Sequence, residues 1–291
     1  MALAESEKKR IQRALNEQGR KKLRKPPKWF HPNAAQRAYQ RELRNYAKIF
    51  ENTIRDIFFP VLPQLEQQAL VNLPTTDGHD VFKSMPKMDD WSEDIQRYLL
   101  AAENLFNNRK PNEVQLAQQS AQEVNQYNEG QFQKINKSVL GVNIIAAEPW
   151  LQGQINSYVA ENVTLIKSIP EQGFKNVEGI VQRGFAAGRR AEDVQKDLVS
   201  QFGVTKRRGE LIARDQVSKL NGNLTKYRQQ EVGIKRFIWQ TSGDERVRSA
   251  HAALNGKEYN WDEGAPGGIF PGGPILCRCG SSPLFDDLLD E

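Results

Sequence analysis

Apolar residues recur at three- and four-residue spacing along most of this chain, and that period predicts helix after helix up to about residue 232. Lys8 to Leu23 reads as a first helix with sparse apolar positions at Ile11, Leu15 and Leu23, and Lys25-Pro26-Pro27 ends it. Pro32 to Phe59 reads as a second, capped by Asn33, with Tyr39, Leu43, Tyr46, Phe50, Ile54, Ile57 and Phe58 on its apolar stripe. Leu62 to Leu73 follows, and Thr75 to Asp90, with Gly78 and Pro86, reads as a linker. Trp91 to Phe106 restarts the helical period, with Ser92 as its cap. Asn112 to Ile135 has few apolar positions (Val114, Leu116, Val124, Tyr127), so it predicts a surface helix or one strut of a bundle.

Further on, Trp150 to Ile166 carries Leu151, Ile155, Val159 and Val163 on one side. Ser168-Ile169-Pro170-Glu171 has the form of a capping box opening a new helix through Phe174, Val177, Val181 and Phe185, stopped by Gly188. Ala191 to Phe202 is expected to stop at Gly203, and Thr205 to cap a longer helix to Val232, striped by Val217, Leu220, Leu224 and Tyr227. Then the pattern changes. Ile234 to Trp239 predicts a strand, Thr241-Ser242-Gly243 a turn, and Asp244 an N-cap for a helix from Glu245 to Leu254. In that helix Val247, Ala250, His251 and Leu254 share a face. Asn255-Gly256 is a C-cap, Glu258 to Trp261 a second strand, and Gly264 to Pro274 a loop leading to Cys277-Arg278-Cys279. The fold class is mainly α with a small α+β C-terminal unit and an elongated helical N-terminal part.

Charge changes this picture more than composition does. The chain has 291 residues and a mean hydropathy of −0.68. Its start lacks the apolar core of a signal peptide, and no apolar run reaches the ~18 residues of a membrane span. The two cysteines sit one residue apart, too close to staple distant segments, which fits a reducing environment. Of 41 Lys and Arg, 14 lie between Met1 and Lys48, against 4 acidic residues there. A basic arm on a mildly acidic remainder suits a polyanion or an acidic partner surface, and the alternative is a solubilising tail. Lys8, Lys9, Arg10, Arg13, Arg20, Lys21, Lys22, Arg24 and Lys25 are its candidate contacts with nucleic acid or a partner.

Candidate chemistry is concentrated in one place. His251, Cys277 and Cys279 are the metal-ligand types, and zinc takes imidazole and thiolate. A structural zinc site wants four ligands, and Asp244, seven residues from His251, would lie about 10 Å away along a helix. A buried His packed beside two thiols without metal is the alternative, and no other cofactor is expected. A Cys277–Cys279 disulfide would strain so short a loop. A Cys/His nucleophile pair, or zinc with an open position, would make a hydrolase. However, there is no Gly-rich phosphate loop and no H-E-x-x-H. Arg246 and Arg248 are two apart and face different sides of the expected helix, and Arg246 is expected to pair locally with an acid or to cap loop carbonyls. His31 and His79 have no metal-binding neighbours in sequence and read as exposed polar residues.

The run WQTSGDERVRSAH from Trp239, the LNG turn and the C-R-C ending closely resemble the phage Mu F-like, or minor head protein, family of head morphogenesis proteins. Trp239, Asp244, Arg246 and Arg248 belong to that motif. The resemblance extends upstream through LIARDQVSKLNGNL to about Asn162, roughly the C-terminal two-fifths of the chain. It divides the chain into a basic arm and helix (1–48), a helical region (49–138) and a Mu F-like head morphogenesis domain (139–291). It implies a non-enzymatic minor head component of a tailed bacteriophage. Such a protein would lie inside the head near the portal vertex, pass through the host cytoplasm during assembly, and act in head morphogenesis and DNA packaging or exit. The implied partners are the portal protein, capsid or scaffolding protein, and DNA, with no membrane. The short stretch after Cys279 predicts no appended toxin or transferase domain. A nucleic-acid-binding protein acting through its arm and a zinc-dependent hydrolase are the other two readings.

Overall fold

The computed structural model describes residues 5–19, 23–71, 89–144 and 147–288. Among them are eight α-helices: α1 (Glu5–Glu17), α2 (Asn33–Phe58), α3 (Leu62–Val71), α4 (Asp89–Arg109), α5 (Glu113–Leu140), α6 (Leu151–Ala186), α7 (Ala191–Glu231) and α8 (Ser249–Ala252). Strands β1 (Arg236–Gln240), β2 (Glu258–Asn260) and β3 (Gly280–Pro283) form one antiparallel sheet in the order β2-β1-β3. The predominantly helical class with a small C-terminal sheet is therefore the observed one. Most of the expected linker, and His79, fall outside the described residues.

The chain divides into two compact units built from interleaved segments. One comprises residues 40–115 and 163–212. Its core is a cluster of aromatic edges: Tyr46 meets Phe106 at 5.3 Å between ring centroids and Phe50 meets Phe174 at 5.0 Å, both nearly perpendicular. Gly173 makes room for it, since a Cβ there would lie 2.6 Å from the Phe50 ring. The buried Tyr46 hydroxyl donates to Glu113 at 2.7 Å, and Lys110 neutralises the same carboxylate.

Two expected helix breaks do not occur here. Ser168 starts no helix: α6 runs through Pro170, and the Ser168 hydroxyl donates back to the Leu165 carbonyl. An internal proline costs about 3 kcal/mol. Ile166, Ile169 and Val177, all at 1% exposure or less, bury enough apolar surface to offset it. Likewise α7 passes through Gly203, and Thr205 donates to the Gln201 carbonyl instead of capping. A helical glycine costs only about 1 kcal/mol, and Phe202 and Thr205 on either side are buried.

The other unit comprises residues 1–39, 116–162 and 213–291. Of the two expectations for the polar helix α5, surface element or bundle strut, its buried stripe fits the second. Asn112 caps α5, accepting from the Val114 and Gln115 N–H groups at 2.9 and 3.1 Å. Its buried stripe is made of Ala117, Ala121, Val124, Asn128, Phe132 and Val139. Small and amide side chains hid that stripe from a hydrophobicity pattern. On α6 the buried positions are Tyr158 and Asn162, not the expected Leu151, Ile155 and Val159. The Asn128 amide donates to the Asn221 carbonyl and the Thr225 hydroxyl of α7 at 3.0 and 2.8 Å. Its carbonyl accepts from Arg228, which is 2% exposed. That guanidinium also forks onto both Glu148 oxygens at 2.6 and 3.0 Å and reaches Asn125 at 2.7 Å. A buried cation is tolerable because it is paired and its donors are used.

The basic arm is not a free tail. Ile11 and Leu15 of α1 and Trp29 pack into a core with Phe132, Ile135, Val139, Val232 and Phe285. The Trp29 N–H donates to the Gln240 side chain at 3.0 Å, tying the arm to the end of β1.

Candidate functional site

β1 carries Phe237 and Trp239 to the buried face by strict alternation, opposite Tyr259 of β2 and Ser281 of β3 respectively. Trp261 lies 4.1 Å from the Phe237 ring and donates its indole N–H to Gln229 of α7 at 3.0 Å. Gln229 in turn donates to the Ser281 carbonyl, so one buried amide joins α7 to both ends of the sheet region.

The Gly/Pro loop lies directly across α7. A Cβ at Gly222 would come within 2.4 Å of the Pro271 carbonyl, and one at Gly272 within 2.6 Å of the Ser218 carbonyl. Only residues without side chains permit that approach, and the left-handed φ of +85° at Gly272 also favours glycine. One turn earlier in α7, Asp215 accepts the Leu276 N–H at 2.7 Å and pairs with Lys219 at 2.8 Å. Leu276 is held at φ +57°, a conformation that costs a branched side chain about 1–2 kcal/mol. This bend aims the next three residues.

From Cys277 the chain extends toward β3, so side chains two apart share a face. Cys277 and Cys279 therefore both point inward, and Arg278 points out to the Asp244 carboxylate at 2.6 Å. Facing the sulfurs is His251, whose Nδ1 lies 3.6 Å from each. The three donor atoms all fall within 4.8 Å of one another, and all three residues are buried. Trp239 presents its edge to the imidazole at 5.5 Å. Its buried indole N–H has no hydrogen-bond partner. Both thiols are free, as the short spacing predicts. The Cys277 thiol is held down at about 6, chiefly by a hydrogen bond from the Cys279 thiol and against the effect of burial. Cys279 is pushed up by the same contact and by burial.

Four expectations are corrected here. The helix carrying His251 is only Ser249–Ala252, not Glu245 to Leu254. Asp244 is not its N-cap. Its carboxylate accepts the Arg246 N–H at 3.2 Å and the Arg278 guanidinium, making a side-chain turn that competes with helix. Burial works to raise the Asp244 carboxyl, yet the Arg278 bond holds it below the usual range. Arg248 precedes the helix without capping it and donates to the Ile275 carbonyl at 2.7 Å, so it, rather than Arg246, binds the loop. Ala250, expected on the inner face, is exposed, while His251 and Leu254 are buried.

A cavity of about 180 Å³ opens over the three donors, rimmed by Arg214, Ser242, Arg246, Arg248 and Arg278. Arg214 and Asp215 come from the ARDQ stretch of α7, whose contact with the loop no local pattern announces. Of the arm residues, Lys9, Arg10, Arg13, Arg24 and Lys25 are exposed and Lys8 half-buried. Arg10 and Arg13 make exposed pairs with Glu7 and Glu17, and Arg20, Lys21 and Lys22 lie outside the described residues. His31 is not a freely exposed residue: its ring bonds Gln36 at 2.8 Å, and burial pushes it down to about 4, with Arg278 and Arg214 adding to the shift.

Residues 175–282 match the family described as Phage Mu protein F like protein. An uncharacterized protein of Haemophilus influenzae is 34% identical over 154 residues, which cover 52% of this chain and 34% of that protein. The chain thus spans about a third of that relative's length. No solved structure matches. The matched segment contains the ARDQ helix, the whole sheet except the last residue of β3, and His251, Cys277 and Cys279. Residues 175–282 are thus similar to the phage Mu F-like family.

Proposed function

We propose that this protein is a non-enzymatic head morphogenesis component of a tailed bacteriophage, present in few copies inside the head near the portal vertex. The observation that carries the reading is the family match over residues 175–282, whose motif residues here build a framework. Asp244 and Arg278 clamp the turn before α8 to the C-R-C strand, Arg248 holds the loop at Ile275, and Asp215 holds it at Leu276. Arginines committed to loop carbonyls and carboxylates serve architecture first.

The same reading gives the arm a role in contacting DNA or the acidic surface of a portal, capsid or scaffolding protein. Its apolar residues are buried, which leaves Lys9, Arg13, Arg24 and Lys25 on the outside. The test is a phage in which the gene carries an early stop. Heads should still form, with packaging or infectivity reduced and restored by supplying the protein. Normal infectivity without the chain would overturn the proposal.

A further inference from the structure

We propose that His251 Nδ1 and the sulfurs of Cys277 and Cys279 bind one zinc ion, whose fourth position faces the arginine-rimmed cavity and is held by solvent or a small anion. The geometry carries this. Tetrahedral zinc with bonds of about 2.3 Å to sulfur and 2.0–2.1 Å to nitrogen separates N and S ligand atoms by about 3.6 Å. Both sulfurs lie 3.6 Å from Nδ1, and no pair of the three atoms exceeds 4.8 Å.

The backbone around the cluster is arranged for the same end. The extended C-x-C segment turns two sulfurs the same way, whereas the more usual C-x₂-C spacing reaches a metal from a tight turn. The left-handed Leu276 and its bond to Asp215 set the direction of that segment. Trp239 packs against the His251 ring with a buried indole N–H that has no hydrogen-bond partner, a donor of the kind that stabilises a metal thiolate.

The fourth ligand is not a protein carboxylate. Asp244 is engaged by Arg278, Ser242 and the Arg246 N–H, and among the described residues no other His, Cys, Asp or Glu joins the three. The remaining side of the cluster is the cavity of about 180 Å³, where Arg214, Arg246, Arg248 and Arg278 favour a negative ligand. Zinc with two thiolates and one imidazole is neutral, so a water completes it at zero net charge, and the charge of a small anion would be offset by the arginines around the cavity. This proposal does not depend on where the protein acts in a phage.

The test uses the full chain, purified without chelator or metal-affinity steps from zinc-supplemented cells. Elemental analysis should give one zinc per chain. Replacing it with cobalt should produce a thiolate charge-transfer band and the visible bands of tetrahedral cobalt. Adding azide should shift the visible bands, because the fourth position exchanges. Cys277→Ser and Cys279→Ser should each weaken zinc binding at least tenfold and reduce the charge-transfer band by about half, the two sulfurs contributing alike. Absence of both zinc and cobalt bands in the unmutated chain would overturn the proposal without reference to any variant's folding. So would equal zinc content in the Cys277→Ser/Cys279→Ser double variant. Azide-insensitive bands would overturn the open fourth position.

Discussion

Replacing Gly222 with alanine tests how the loop is held against α7. In an open helical position Gly→Ala stabilises by about 1 kcal/mol, through helix propensity. Position 222 is not open. The new Cβ would lie 2.4 Å from the Pro271 carbonyl oxygen and 3.3 Å from the Gly272 Cα, whereas ordinary contact begins near 3.4 Å. Loop and helix would have to separate by about 1 Å, and both obstacles are backbone, which no rotamer change can move aside. Overpacking of this kind costs about 1–3 kcal/mol. The cost outweighs the propensity gain, so Gly222→Ala should destabilise by about 1 kcal/mol. Gly130 in α5 is the control, in the same compact unit and with nothing within 4 Å of the place a Cβ would take. Gly130→Ala should stabilise by about 1 kcal/mol. Urea unfolding followed by tryptophan fluorescence reads both, since Trp29, Trp150, Trp239 and Trp261 lie in that unit. Opposite signs are expected. Equal stabilisation by the two substitutions would show that the loop does not cross the helix at Gly222.

Three further outcomes follow from the same contacts. Arg228→Met should cost about 3–5 kcal/mol, because it leaves Glu148 and the Asn128 and Asn125 carbonyls without their donor; the Arg228→Met/Glu148→Met pair should recover part of that loss in urea titrations, and no recovery would contradict the pairing. His31 has a folded pKa lowered to about 4, so the unfolded chain takes up the proton first as pH falls. Stability is therefore full above pH ~6.5 and declines toward pH ~4, by about 2 kcal/mol at pH ~5, and His31→Gln should flatten that part of the profile. Asp215→Ala should lower stability by about 1.5–3 kcal/mol, the worth of a hydrogen bond to a charged group, and should speed proteolysis between Gly264 and Cys277; an unchanged cleavage rate would mean the loop is held elsewhere.

How much of this was legible depended on whether the cause was local. The helices over Pro32 to Phe59 and Trp91 to Phe106 were readable because large apolar residues recur at helical spacing. The breaks expected at Ser168 and Gly203 failed because burial at Ile166, Ile169 and Phe202 overrides weak local signals. Strand β3 was missed because Gly280-Ser281-Ser282-Pro283 has no apolar alternation; it is held by pairing with Trp239 and Ile238. At the site, the ligand types were visible but the arrangement was not. The expected helical face of Val247, Ala250, His251 and Leu254 gave way to a turn organised by Arg278, 34 residues from Asp244 in sequence. The contribution of Arg214, Asp215 and Gly222 exists only once α7 and the loop are packed together.

The proposed role at the portal vertex can be checked by co-expressing the chain with the portal protein of its phage and imaging the purified ring by electron microscopy. The protein should co-purify without nucleotide or small-molecule substrate and add density at the ring's head-interior side. A bare ring, with the protein recovered free, would contradict it.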